Sequence, residues 1–214
     1  MMSTNHIKSF IRDLGIDLVG VADMTTLNGM PLGISAEGAS FLDEFPRAIV
    51  LGAQYGKIGK NAKGREVSFF LENAALQVLE YLEEEGTQGL IIHTEDEYNP
   101  ITRQGLLSLK VLAKAAGLGW QGRSLLIVSP EYGPVHRWIA VLTDLDITPD
   151  QTLSNECGSC SLCVDKCPHD ALTLVPFEDH PKSREAVLNV PACKGDNGCK
   201  VCIVVCPWFR QAIC

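Results

Sequence analysis

The chain has 214 residues, with 18 lysines and arginines against 26 aspartates and glutamates, for a net charge of −8. Its 46% hydrophobic and 21% charged residues suffice for a buried core and exclude a disordered chain. The acidic surplus disfavours a general nucleic-acid-binding surface. No apolar run reaches the roughly 18 residues of a membrane span, and the start Met1-Met-Ser-Thr-Asn-His6 carries no export signal. A soluble cytoplasmic protein is therefore expected.

In chain order, residues 4 to 14 place Ile7, Phe10, Ile11 and Leu14 on one face, with Ser3 as cap and Gly15 as stop, which predicts an amphipathic helix. Asp17–Ala22 and Ala48–Ala53 read as buried strands. Between them, residues 23 to 45 are rich in Gly, Ser, Thr and Pro and read as loop. Lys57, Lys60, Lys63 and Arg65 form a cationic, glycine-punctuated loop, read mainly as solvated. Glu66–Glu85 predicts a long helix with Phe70, Leu71, Ala74, Val78 or Leu79, and Leu82 inward. Gly89–His93 predicts a third strand and Gln104–Ala116 a helix ended by Gly117. Leu125–Val128 and Trp138–Leu142 predict the last two strands. Strands interleaved with helices suggest an α/β or α+β sandwich.

Cysteine placement divides the chain. All nine cysteines lie at or beyond Cys157. Clustered cysteines without an export signal read as metal ligands rather than disulfides. The boundary falls near Asp146–Asp150, giving a domain of residues 1–148 and a cysteine-rich module of residues 149–214. The first holds 12 cations against 18 acids, the second 6 against 8.

The module contains one motif twice. Cys157, Cys160, Cys163 and Cys167-Pro168 have the spacing C-x2-C-x2-C-x3-C-P of bacterial two-cluster ferredoxins. Cys193, Cys199, Cys202 and Cys206-Pro207 repeat it with a longer first gap, C-x5-C-x2-C-x3-C-P. Three closely spaced thiolates can wrap three corners of one iron–sulfur cube, while the fourth points to the other cluster. The expected ligand sets are Cys157, Cys160, Cys163 and Cys206 for one 4Fe–4S cluster, and Cys167, Cys193, Cys199 and Cys202 for the other. Two four-thiolate zinc sites are the alternative. Cys214 fits neither motif and reads as a terminal thiol.

The clusters carry electrons but define no substrate. Gly117-Leu-Gly119-Trp-Gln-Gly122 matches G-x-G-x-x-G, but it follows a helix and precedes a strand, the reverse of a dinucleotide site. A helix C-cap followed by a turn is the plain reading. His93 stands beside Glu95, Asp96 and Glu97, a group with the chemistry to donate a proton, though a solvated acidic loop is the commoner outcome. His6, His136, His169 and His180 show no metal spacing.

The run Leu109–Ser124, then Leu125–Val128, Tyr132-Gly133 and Val141–Asp144 leading into two cysteine motifs, resembles epoxyqueuosine reductases and the cores of reductive dehalogenases. Leu14–Ala22 is similar to them too. The resemblance implies a nitroreductase-like α+β domain that binds a corrinoid, fused to a ferredoxin-like domain whose two 4Fe–4S clusters reduce base-off cobalamin. It implies that Gly117, Gly119, Gly122 and the adjoining Arg123 lie by that cofactor; the family usually has Lys-Asn where this chain has Arg123-Ser124. The family's aspartate proton donor stands in a Val-Asp-Thr-like segment; the matching stretch here is Ile92–Asp96, where the acid is displaced and Asp96 is the catalytic candidate. The chain ends at Cys214, before the helical repeats that help those enzymes hold tRNA, so tRNA is disfavoured as a partner. A small electron donor such as ferredoxin or flavodoxin is expected instead. A cobalamin-dependent reductase is the favoured reading, and an electron-transfer protein reducing a partner's redox centre is the alternative.

Overall fold

The computed structural model describes residues 3–27, 36–56, 64–93, 99, 101, 104–176, 181, 183–195 and 198–212. Helix α1 (Thr4–Asp13) starts where the Ser3 hydroxyl accepts a hydrogen bond from the His6 amide at 3.3 Å, and it buries Ile7 and Ile11. Strands β1 (Leu18–Asp23) and β2 (Arg47–Gln54) follow, joined through a 3-10 turn (Met24–Leu27) and helix α2 (Ala36–Glu44). Helix α2 lies in the stretch expected to be loop. Helix α3 (Gly64–Glu84) turns Val67, Leu71, Ala74, Ala75, Val78 and Leu82 inward, close to the periodicity of its sequence. Strand β3 (Gly89–Ile92), helix α4 (Leu109–Ala115), the short strands β4 (Trp120–Gln121) and β5 (Ile127–Val128), and strand β6 (His136–Thr143) complete the first part.

Four strands form one sheet in the order β1-β2-β6-β3, every pair antiparallel. Successive side chains alternate between its two faces. Val19, Val21, Ile49, Leu51, Ile139 and Val141 pack with α1 and α3 on one face. Leu18, Ala48, Val50, Trp138, Ala140 and Leu142 pack with α4 and residues of the α2 segment on the other. The result is a mixed α and β sandwich with helices on both faces. At Gly20 a Cβ would stand 2.2 Å from the Ala116 carbonyl oxygen, so the end of α4 presses directly on the sheet there.

After Thr143 the chain runs without a regular element to Ser161. Asp150 fastens this stretch to the sheet: one carboxylate oxygen accepts from the Val21 amide at 2.7 Å and from Lys8 Nζ at 2.6 Å. Three short helices follow, α5 (Leu162–Asp165), α6 (Val201–Val204) and α7 (Pro207–Ala212). Here the core is small. Leu172 and Val187 are buried among Cys163, Val164, Cys167, Val175, Leu188 and Cys202. Leu125 joins them from the turn between β4 and β5.

Candidate metal centre and its contact with the sheet domain

The eight cysteines from Cys157 to Cys206 are half-buried, and none is in a disulfide. Their sulfurs sort into two groups. Burial, and then the negative charge of Cys157, Cys202, Cys160 and Cys206, pushes the Cys163 thiol up to about 12. Burial, and then Cys193, Cys199 and Cys167, pushes Cys202 up to about 11. Cys206 is raised by burial and by Cys157 and Cys160, against the backbone amides of Trp208 and Phe209, which favour its thiolate. Cys206 therefore lies near Cys157 and Cys160, and Cys202 near Cys193, Cys199 and Cys167, which follows the two expected groups except that Cys202 also stands beside Cys163. The groups approach one another at Cys163 and Cys202, which share the small core with Leu172 and Val187.

As protons leave, each added thiolate repels the others, so four together need a cation to hold them. Two amides already donate to sulfurs of the second group, Ala171 to Cys167 at 3.3 Å and Gly195 to Cys193 at 3.4 Å. Among the described residues, no three His, Cys, Asp or Glu side chains converge as ligands of one metal ion. Tetrahedral zinc needs sulfurs about 3.8 Å apart, given Zn–S bonds of about 2.3 Å. A cubane takes wider-set sulfurs, because each binds a different iron. Clustered soft thiolate donors fit the chemistry of iron–sulfur clusters.

The glycine run has a mainly structural setting. Gly117 (φ +68°) ends α4 as a Schellman cap: its amide donates to the Lys114 carbonyl and the Leu118 amide to the Ala113 carbonyl, each at 3.0 Å. A Cβ on Gly117 would stand 2.3 Å from the Gln151 carbonyl oxygen, and one on Gly119 2.5 Å from that of Val128. Both glycines thus turn their open side to the chain's own backbone. Gly122 differs. Its Cβ position lies 3.7 Å from the Cys157 sulfur.

The residues around Gly122 fasten the β4–β5 hairpin to the first cysteine motif. Asn155 donates from Nδ2 to the Gln121 carbonyl at 2.9 Å, and its Oδ1 accepts from the Cys157 amide at 2.9 Å. Arg123 donates to the Gly158 carbonyl at 2.7 Å and to the Val175 carbonyl at 3.1 Å. Leu125 takes a left-handed backbone (φ +58°), rare for a leucine, and seats its side chain in the module's core. At the far end, Trp120 meets Trp208 edge to face with centroids 4.8 Å apart. A Cβ on Gly133 would come within 2.6 Å of the Phe209 amide nitrogen.

Two buried polar groups, on His136 and Trp120, lie outside the expected site residues. His136 opens β6 on the α4 face; Nε2 is 3.0 Å from Ser129 Oγ, which accepts from the Tyr132 amide. Burial lowers its pKa to about 3, so the ring is neutral at neutral pH. The Nδ1 of His136 and the indole nitrogen of Trp120 have no hydrogen-bond partner among the described residues. His93 follows β3, with Nδ1 3.8 Å from Glu72 Oε1. Asp96, Glu95, Glu97, Lys57, Lys60, Lys63, His180 and Cys214 lie outside the described residues.

The fold is one found in epoxyqueuosine reductases and reductive dehalogenases. The chain superposes on the epoxyqueuosine reductase of Streptococcus thermophilus with a TM-score of 0.73 at 20% identity, covering 98% of this chain and 67% of that one. It superposes on a catabolic reductive dehalogenase with a TM-score of 0.68 at 18% identity, covering 96% and 31%. In sequence it is 28% identical over 180 residues to the epoxyqueuosine reductase of Leadbetterella byssophila, 78% of this chain and 56% of that protein. Curated relatives from Vibrio cholerae and Listeria monocytogenes carry the same name. The chain spans about half, or less, of the length of the curated relatives it matches. No family model matches it.

The expectation against tRNA is overturned. An epoxyqueuosine reductase in complex with an epoxyqueuosine-modified tRNA-Tyr stem loop superposes with a TM-score of 0.70 at 18% identity over 97% of this chain. A net charge of −8 is an average over the surface and does not exclude a face that takes RNA.

Proposed function

We propose that this chain is an iron–sulfur, cobalamin-dependent reductase related to epoxyqueuosine reductase, with a modified tRNA stem loop as its substrate. Residues 1–148 form a nitroreductase-like domain and residues 149–214 a ferredoxin-like domain with two 4Fe–4S clusters. The observation that supports the reading is the nearness of Cys206 to Cys157 and Cys160, and of Cys167 to Cys202, so that each motif lends a sulfur to the other. That crossing is the pattern of two-cluster ferredoxins.

The clusters supply single electrons, and a bound corrinoid supplies a cobalt centre able to reduce an epoxide. The chain's own residues hold the eight sulfurs, hold the first motif against the β4–β5 hairpin, and keep the two sulfur sets adjacent at Cys163 and Cys202. The corrinoid part of the reading is supported by reductive dehalogenase neighbours, one of them described as B12-dependent. Gly117 and Gly119 face protein, so Gly122 and Arg123 are the members of the expected set placed beside the metal module. Asp96 is the proposed proton donor.

The test is anaerobic purification with iron and sulfide reconstitution, then cobalamin titration followed by absorbance, then incubation with an epoxyqueuosine-containing stem loop and a strong reductant. About eight irons per chain are expected, with a shift of the cobalt spectrum and conversion of epoxyqueuosine to queuosine. Zinc in place of iron overturns the cluster reading. Full iron without cobalamin uptake replaces the reductase by the electron-transfer protein.

A further inference from the structure

The geometry points to the tip of the β4–β5 hairpin as a latch that sets the reduction potential of the first cluster, with Arg123 as its positioning residue. The inference rests on the two-cluster reading above and goes beyond it. Three neighbouring residues of the tip, Gln121, Gly122 and Arg123, border the first motif around Cys157 and Gly158. Gln121 accepts from Asn155, whose side chain also holds the Cys157 amide. Gly122 leaves its Cβ position 3.7 Å from the Cys157 sulfur. Arg123 donates to the carbonyl of Gly158, the residue after Cys157, and to Val175. The tip itself is rigid: the Leu125 amide donates to the Gly122 carbonyl at 2.9 Å, and the Leu125 side chain is buried in the module.

The chemistry follows from charge. A cubane with four thiolates carries about −2 when oxidised and −3 when it gains one electron. A guanidinium fixed one residue from a ligand stabilises the −3 state more than the −2 state. This charge favours reduction of the cluster held by Cys157, Cys160, Cys163 and Cys206. The second cluster gains less, because the carbonyl that Arg123 grips adjoins Cys157, a ligand of the first.

The experiment is a redox titration of reconstituted protein with dithionite as electron donor, read by electron paramagnetic resonance. Cys199→Ser marks the signal of the second cluster. In Arg123→Ala, the reduced-to-oxidised ratio of the first cluster at a fixed ambient potential should fall about tenfold, with a smaller fall at the second cluster. Arg123→Lys, which keeps the charge but not the forked contact, should restore part of the loss, and it carries the test if the alanine variant loses iron. Equal ratios in wild type and both variants, or an equal shift of both clusters, overturn the proposal. Wild-type protein without two iron–sulfur signals overturns instead the cluster reading on which it rests.

Discussion

His136 shows how one buried side chain ties the sheet domain to pH. Its folded pKa of about 3 lies below the ordinary 6.5 because burial disfavours the imidazolium. Between those values the unfolded chain binds a proton that the folded chain refuses, so stability rises with pH in that window. The contribution is complete above about pH 6.5 and is lost as pH falls towards 3. Between pH 7 and pH 5 the wild type should lose about 2 kcal/mol more than His136→Gln. Urea unfolding followed by far-ultraviolet circular dichroism at the two pH values checks this, and parallel losses would refute it. Gly117 makes a second case. Its left-handed backbone and the Gln151 oxygen 2.3 Å from its Cβ position mean that Gly117→Ala should cost about 2–4 kcal/mol, measured as a lowered urea midpoint.

At the scale of elements, the β4–β5 hairpin matters out of proportion to its length. Leu125→Ala removes a side chain that is 5% exposed and should cost about 2–4 kcal/mol. The loss should appear first as faster release of iron to a chelator, with the sheet's circular dichroism intact. This hairpin was only half legible. Leu125-Leu-Ile-Val128 reads as a strand, yet pairing is confined to Ile127 and Val128, because Leu125 leaves the strand to plug the module. Amphipathic elements were easier to read. The α1 and α3 stripes stand out because one face of each meets the sheet, whereas α2 hides in Ala36–Glu44, where Gly38, Ser40 and the neighbouring loop residues mask a short helix. Helix α4 starts later than its periodicity suggests, because the Ser108 hydroxyl caps it. The cysteine motifs stand out in the sequence because three sulfurs that wrap one cube must come from a short stretch of chain. His136 was not, since a lone histidine carries no spacing signal and its burial depends on Ser129, Tyr132 and Trp138 folding around it.

For the whole molecule, the two parts should respond differently to metal loss. The sheet domain has two extensive apolar faces and no cysteine, whereas the module has a core centred on Leu125, Leu172 and Val187. Chelation under air should abolish the visible absorbance and loosen residues 149–214 to protease, while the sheet's cooperative unfolding persists. A single global transition, lost together with the iron, would contradict this division. Cys163→Ser and Cys202→Ser should each lower the iron content from about eight atoms to about four, as colorimetric iron determination would register.

The crossed sulfurs also constrain how the protein can be made. Cys206 stands with Cys157 and Cys160, residues translated some fifty positions earlier. On the two-cluster reading the first cage has no fourth wall until Cys206 has been read, so a growing chain carries it open and a nonsense mutation just before Cys206 would leave it so. Completion of that cage thereby waits for Cys206, and a product stopped short of it would betray itself by lacking half its colour.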